Sequence, residues 1–241
     1  MKVSRASIDT PALIVDLDVL DRNIATMAAR AKAWGVALRP HAKTHKCSAI
    51  ARRQVAAGAI GIACATIDEA EVMVEADLPG VLVTSPLATE HKVRRFTELL
   101  RRRSDLAVVA DHPQHVALLA EMARRYSVAP SVLVDLDVGD HRTGTATLEA
   151  AVNLAQQIQD SSDLRFAGLQ GYAGRIQHVA AFAKRSSEAA KVAGQLAELR
   201  DRLWARASRR HAAAVRVLSL HLHANARATA GPAIRISQPP N

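Results

Sequence analysis

The sequence predicts an α/β fold of the (β/α)8 TIM-barrel kind, of which about six strands are readable, and three observations lead there. Short apolar runs alternate with helical stretches from about residue 12 to about residue 210. The runs are almost continuously apolar rather than alternating with polar residues, as parallel strands covered by helices require. Polar and ionisable residues gather directly after the strands, at Lys43, Thr66, Thr84-Ser85, Asp111, Asp137 to Arg142 and Gln170 to Gln177, where a barrel carries them to one mouth. An open doubly wound sheet is the competing architecture, but no GxGxxG or GxxxxGK(S/T) pattern follows any strand.

Taken in order, Ala12-Leu13-Ile14-Val15 reads as a short strand, and Asp18 as the cap of a helix that runs to about Trp34. The further strands predicted are Val36–Ala42, Ala59–Ala65, Gly80–Ser85, Leu106–Ala110, Val132–Asp137 and Phe166–Tyr172. Helices are predicted near 46–57, 68–76, 88–103, 113–126 and 146–159, and from about 177 to 210. Asp68 and Asp111 read as helix starts, the second followed by Pro113, whose fixed φ suits a first helical turn. Arg101-Arg102-Arg103 closes a helix, where cations complement the dipole and are solvated.

With 49% hydrophobic and only 3% aromatic residues, the 241-residue chain must build an aliphatic, alanine-rich core. Cys47 and Cys64 show no CxxC or zinc spacing and suit a reducing compartment. The N-terminus has no apolar leader and no run approaches a membrane span, so the expectation is a soluble cytoplasmic protein without a membrane partner. The net charge of +9 invites a nucleic-acid partner, but its distribution argues against one. Residues 201–241 hold seven arginines and one acidic residue, which leaves +3 for residues 1–200. The domain organisation predicted is an α/β barrel over 1–204 and an anomalous basic tail over 205–241, disordered or foreign to the fold as a shifted reading frame would make it. His221 and His223 in that tail share a strand face, but no carboxylate or cysteine nearby completes a metal site.

Three constellations carry possible chemistry. In Leu38-Arg39-Pro40-His41-Ala42-Lys43-Thr44-His45-Lys46, strand alternation would set Arg39, His41 and Lys43 on one face. Cationic neighbours and burial both favour a neutral lysine amine, the form that attacks carbonyls to give Schiff bases. On the residues alone a solvated basic turn between a strand and a helix is the better-supported reading. In Val134-Asp135-Leu136-Asp137-Val138-Gly139-Asp140-His141-Arg142-Thr143-Gly144, the strand delivers Asp137 to its end, and Arg142 offers fixed donors to a phenolate, carboxylate or phosphate oxygen, or else simply pairs with Asp137. In Gly168-Leu169-Gln170-Gly171-Tyr172-Ala173-Gly174-Arg175-Ile176-Gln177-His178, Gln170 and Tyr172 share a strand face, and the glycines let backbone approach something flat, or form an ordinary turn.

Together these motifs, with Thr10-Pro11-Ala12-Leu13-Ile14-Val15-Asp16-Leu17-Asp18 and Ala65-Thr66-Ile67-Asp68-Glu69-Ala70-Glu71, resemble the D-threonine aldolase and D-serine dehydratase-like family over roughly residues 9–204. These are pyridoxal-phosphate enzymes of fold type III, with the alanine racemase-type N-terminal barrel. The resemblance implies that Lys43 carries the cofactor, that Arg142 contacts its phenolic oxygen, that Tyr172 with Gln170 lies against its pyridine ring, and that His41 lines the pocket. It implies a lyase acting on D-3-hydroxy amino acids. Retro-aldol cleavage to glycine and an aldehyde is the first reading; a dehydratase or a non-catalytic pyridoxal-phosphate-binding protein is the alternative. Family members add a divalent metal held from a C-terminal β-domain, and tend to dimerise. The expectation is therefore a barrel truncated to about six strands, without the phosphate cradle, metal ligands and β-domain, and with doubtful activity.

Overall fold

In a computed structural model that describes residues 7–206 and 217–220, six parallel strands form one sheet in the order in which they occur along the chain. They are β1 (Ala63–Cys64), β2 (Leu82–Val83), β3 (Ala107–Ala110), β4 (Ser131–Leu136), β5 (Arg165–Gly171) and β6 (Val217–Leu220). The helices are α1 (Leu17–Trp34), α2 (Ser48–Ala56), α3 (Ile67–Glu75), α4 (Glu90–Arg102), α5 (Pro113–Tyr126), α6 (Leu148–Asp160) and α7 (Phe182–Arg206). A sheet that never reverses its order is wound in one direction, as a barrel is; a doubly wound sheet would switch direction part-way.

The segment before β1 runs beside it without becoming a full strand. The Ile60 N–H donates to the Leu38 carbonyl at 2.8 Å and the Ala63 N–H to that of Pro40 at 2.8 Å. The ladder is then reduced to one bridge, His41 to Ala63. Pro40 has no N–H to give, so the strand predicted over Val36–Ala42 pairs only in part. The strand predicted at Ala12–Val15 is absent: Leu13, Ile14 and Val15 are exposed, without a pairing edge among the described residues.

Helix starts follow side-chain chemistry, with small corrections. Asp16, not Asp18, caps α1, accepting the Val19 N–H at 3.0 Å, and Asp18 sits in the first turn. Thr66 caps α3 and His112 caps α5, so Asp68 is a first-turn residue and Asp111 is released for another task. Threonine oxygens accept first-turn amides that otherwise lack partners, at Thr89 and Thr147 as well. Arg101 and Arg102 close α4 and Arg103 follows as its cap, paired with Asp77 at 2.5 Å and Asp105 at 2.8 Å.

The period-two alternation of the strands divides the core in two. Leu82, Val109 and Leu133, with Ala107 and Ala167, pack on the inner face of the sheet. Val83, Val108, Ala110, Val132 and Val134 face outward into a larger cluster with Phe96, Leu119, Met122 and Ile158 of the helices. At the N-terminal edge the strands press close together. A Cβ on Gly61 would stand 2.1 Å from the Gly80 carbonyl oxygen, a contact only glycine permits, and Arg39 lies across the gap. Among the described residues, no helix is long and apolar enough to cross a membrane.

Candidate active site at the barrel mouth

The chain leaves the β1 side through a single 3-10 turn, Ala42–Thr44, and His41 caps it. Ala42 is fully buried, and its carbonyl accepts the amides of His45 at 3.1 Å and Lys46 at 2.7 Å. Lys43 therefore stands on a turn rather than on a strand face beside Arg39 and His41. Its Nζ lies 5.1 Å from the centroid of the Tyr172 ring, across the mouth. The His41 ring accepts the Lys43 backbone N–H at Nδ1 (3.2 Å) and places Nε2 3.2 Å from the Thr84 hydroxyl. That hydroxyl donates to the Cys64 carbonyl at 3.1 Å.

The second lysine of the motif has a different part. Lys46 bonds to Glu69, whose other oxygen accepts the Ala65 N–H at 2.8 Å. Burial alone would raise the Glu69 carboxyl, but the bonds from Lys46 and Ala65 and the charges of Lys46 and His41 outweigh it and hold the group below its ordinary value. This pair ties the Lys43 turn to the start of α3.

Deeper in the mouth, β4 and β5 align so that Asp135 and Gln170 are register partners. Both are 1% exposed. Gln170 Nε2 donates to Asp135 Oδ1 at 3.1 Å and to the Thr84 carbonyl at 3.4 Å, and Thr143 donates to Asp135 Oδ2 at 2.9 Å. Burial pushes the Asp135 carboxyl up to about 6, helped by the charges of Asp111 and Asp137 and opposed by its two hydrogen bonds. Gln170 Oε1 is buried without a hydrogen-bond partner. An amide carbonyl left in that state costs free energy unless a donor reaches it.

The loop after β4 is organised by Asp137. Its Oδ1 accepts the N–H groups of Gly139 at 2.8 Å and His141 at 3.0 Å, and its Oδ2 lies 2.9 Å from His141 Nδ1. Burial tends to raise this carboxyl, but the two amides and His141 hold it below its ordinary value. His141, not Arg142, is the side chain bound to Asp137, and Arg142 stands exposed. Asp111 closes the loop from β3, accepting the Gly144 N–H at 3.1 Å. Gly144 has φ +104°, and a Cβ there would lie 2.3 Å from the Asp137 nitrogen, so no side chain fits. The guanidinium over this loop belongs to Arg175, bonded to Asp140 at 2.7 Å and to the Val138 carbonyl at 3.3 Å. Tyr172 lies on Gly174, where a Cβ would meet its hydroxyl at 2.1 Å.

Of the residues singled out from sequence, Lys43 and Tyr172 meet directly, and His41 and Gln170 meet through Thr84. Arg142 makes no hydrogen bond to any of them among the described residues. Asp135, Thr84 and Arg175 stand among the sequence motifs and strand-end polar residues, but no role is assigned to them there. The signal for Asp135 was available: a charged residue inside Val132-Leu133-Val134-Asp135-Leu136, two positions before Asp137 and hence on the same face. Among the described residues no group of three His, Cys, Asp or Glu could hold a metal ion, and His221 and His223 lie outside them.

A singly wound parallel α/β barrel with a lysine presented over a tyrosine ring at its C-terminal mouth is the class of protein defined so far. Residues 15–229 match the alanine racemase N-terminal domain, and the chain belongs to that family of pyridoxal-phosphate barrels. It is 33% identical over 204 residues to a 3-hydroxy-D-aspartate aldolase of Paracoccus denitrificans (84% of this chain, 53% of the relative). It is 35% identical over 176 residues to a D-threo-3-hydroxyaspartate dehydratase of Delftia sp. (72% and 46%). The crystal structure of D-threonine aldolase from Filomicrobium marinum superposes with a TM-score of 0.77 at 41% identity, covering 82% of this chain and 54% of that one. The chain thus spans about half the length of the relatives it matches.

Proposed function

We propose that the chain belongs to a pyridoxal-phosphate-dependent lyase acting on D-3-hydroxy amino acids, of the D-threonine aldolase type, which cleaves the Cα–Cβ bond to give glycine and an aldehyde. The observation that carries this reading is the Lys43 amine held 5.1 Å from the face of Tyr172 at the barrel mouth. The residues present fit the cofactor. An amine is needed to bond its aldehyde, a flat aromatic group to lie beside its ring, and polar groups to meet its edge. Lys43 and Tyr172 supply the first two, and the buried Gln170 Oε1 is an acceptor awaiting a donor.

In this assignment Lys43 is the attachment residue, and His41, Gln170, Tyr172 and Arg142 bind the cofactor. When bound, pyridoxal phosphate supplies an electron sink for the bond broken at the substrate Cα. The rest falls to the chain. His41 Nδ1 accepts the Lys43 amide and fixes the turn from which the amine projects. The Tyr172 ring offers its negative face to the amine in its ammonium form. Arg142 is free on the loop surface to bring planar donors to an anionic oxygen. No described residues fit the divalent metal expected for the family, so no step is assigned to it.

The 35% identity to a dehydratase favours one second reading, loss of the β-hydroxyl instead of Cα–Cβ cleavage. Both are tested by titrating the purified chain with pyridoxal phosphate, reducing with borohydride and mapping the labelled peptide, beside Lys43→Ala. Label at Lys43, with glycine and acetaldehyde released from D-threonine, is the expected result. Ammonia and a 2-oxo acid would reassign the chain to the dehydratases, and label without turnover would make it a binding protein. A wild-type chain without label at Lys43 would overturn the proposal.

A further inference from the structure

We infer that Thr84 is a positioning residue for Lys43: its hydroxyl accepts from His41 Nε2 and so anchors, from the far side of the ring, the Nε2–H tautomer that holds the turn from which Lys43 projects. The inference rests on the reading of Lys43 as the attachment residue. Thr84 follows β2 directly, and its hydroxyl has one hydrogen. The Cys64 carbonyl, 3.1 Å away, can only accept, so the hydrogen is spent there. Toward His41 Nε2 at 3.2 Å the hydroxyl then presents a lone pair, and the ring nitrogen must supply the proton. Nδ1 is left with its own lone pair, directed at the Lys43 N–H at 3.2 Å.

The opposite tautomer would set N–H against N–H at Lys43, where the backbone donor cannot turn away. At Thr84 it would also draw the hydroxyl off the Cys64 carbonyl, which holds the Thr84 N–H at 2.8 Å as well. The Lys43 amide at one end and the hydroxyl just after β2 at the other thus agree on the direction of a chain of bonds that runs from Lys43 through His41 and Thr84 to Cys64. The carbonyl of the same Thr84 accepts Gln170 Nε2 at 3.4 Å, so the residue also joins the Lys43 turn to the Gln170–Asp135 pair. Neither Lys43 nor the cofactor need touch Thr84 for its removal to be felt.

The test compares the wild-type chain with Thr84→Ser, which keeps the hydroxyl, and Thr84→Val, which keeps the shape. Nitrogen-15 NMR of the His41 ring, without cofactor and where the ring is neutral, reads the tautomer. The rate of borohydride-trapped labelling of Lys43 by pyridoxal phosphate reads the position of the amine. Wild type and Thr84→Ser should show a protonated Nε2 and equal labelling. Thr84→Val should show a tautomer mixture and labelling slower by roughly fivefold, the usual worth of one hydrogen bond. A proton on Nδ1 in the wild type overturns the inference, as does Thr84→Val with unchanged tautomer or unchanged labelling. Absence of any Lys43 label in the wild type would strike the reading of Lys43 instead, while the NMR still decides the tautomer.

Discussion

Replacing Asp135 with asparagine should stabilise the protein at neutral pH. The Asp135 carboxyl stands at about 6 against an ordinary value of 3.8, so above pH 6 the folded state carries an ionised group that it would rather hold neutral. At about 1.4 kcal/mol for each pH unit, the penalty is roughly 3 kcal/mol. The value of about 6 already includes what those two bonds give the charge, and the amide can still accept from Gln170 and meet Thr143, so a net gain of roughly 1–3 kcal/mol is expected, smaller the less well the amide pairs with Thr143. The pH dependence follows from the direction of the shift. Between about pH 4 and pH 6 the unfolded chain gives up the Asp135 proton while the folded chain keeps it, so wild-type stability falls relative to the variant as pH rises through this window. Below it the two differ little, and above it the gap is constant. Urea unfolding of both proteins across pH 4 to 8, followed by tryptophan fluorescence, measures the gap. A variant no more stable than wild type at pH 7.5, or a gap that does not change across the window, would refute the reasoning.

Other outcomes follow from the same geometry. Glu69→Ala should cost roughly 1–3 kcal/mol at neutral pH, because it strips the Ala65 amide and Lys46 of their acceptor. As Glu69 is held below its ordinary 4.5, its contribution is present above that value and is lost as pH falls through the lower folded value, so the cost should fade in acid urea titrations. Gly144→Ala should destabilise by roughly 2 kcal/mol or more, since positive φ and the Asp137 backbone both resist a Cβ; limited proteolysis should then cut within residues 137–145. Phe96→Ala, in the fully buried centre of α4, should cost roughly 3–5 kcal/mol in the same unfolding assay and leave Lys43 labelling unchanged in whatever protein remains folded.

The alternation of strands and helices was legible because each strand is an apolar run and each helix begins at a polar cap. Capping chemistry alone does not say which of two nearby candidates acts, so Asp16 displaced Asp18 and Thr66 displaced Asp68. Apolar composition at Ala12–Val15 announced burial without naming a partner strand, and exposed Leu13 shows that composition cannot supply one. Lys43 is legible from its motif, but its placement on a 3-10 turn capped by His41 is not. Asp135 and Asp137 looked alike in sequence, and only depth separates a buried carboxyl from one that organises a loop. Arg142 and Arg175 were equally eligible to reach over the loop, and the choice between them is made by Asp140. The bond between His41 and Thr84 spans 43 positions, a distance over which no local pattern reports. The predicted basic tail over 205–241 lies outside the described residues but for 205–206, which end α7, and Val217–Leu220, which pairs with β5.

The register that sets Asp135 opposite Gln170 has a consequence for descent as well as for chemistry. Each of the two is the other's partner in a place closed to water, so a lone apolar replacement at either position strands a polar atom of the other, whereas a paired change to two apolar residues leaves only the Thr143 hydroxyl and the Thr84 carbonyl to find new partners. Lineages that depart from this arrangement should therefore do so at both positions together. Positions 135 and 170 should then change as one character, though 35 residues apart along the chain.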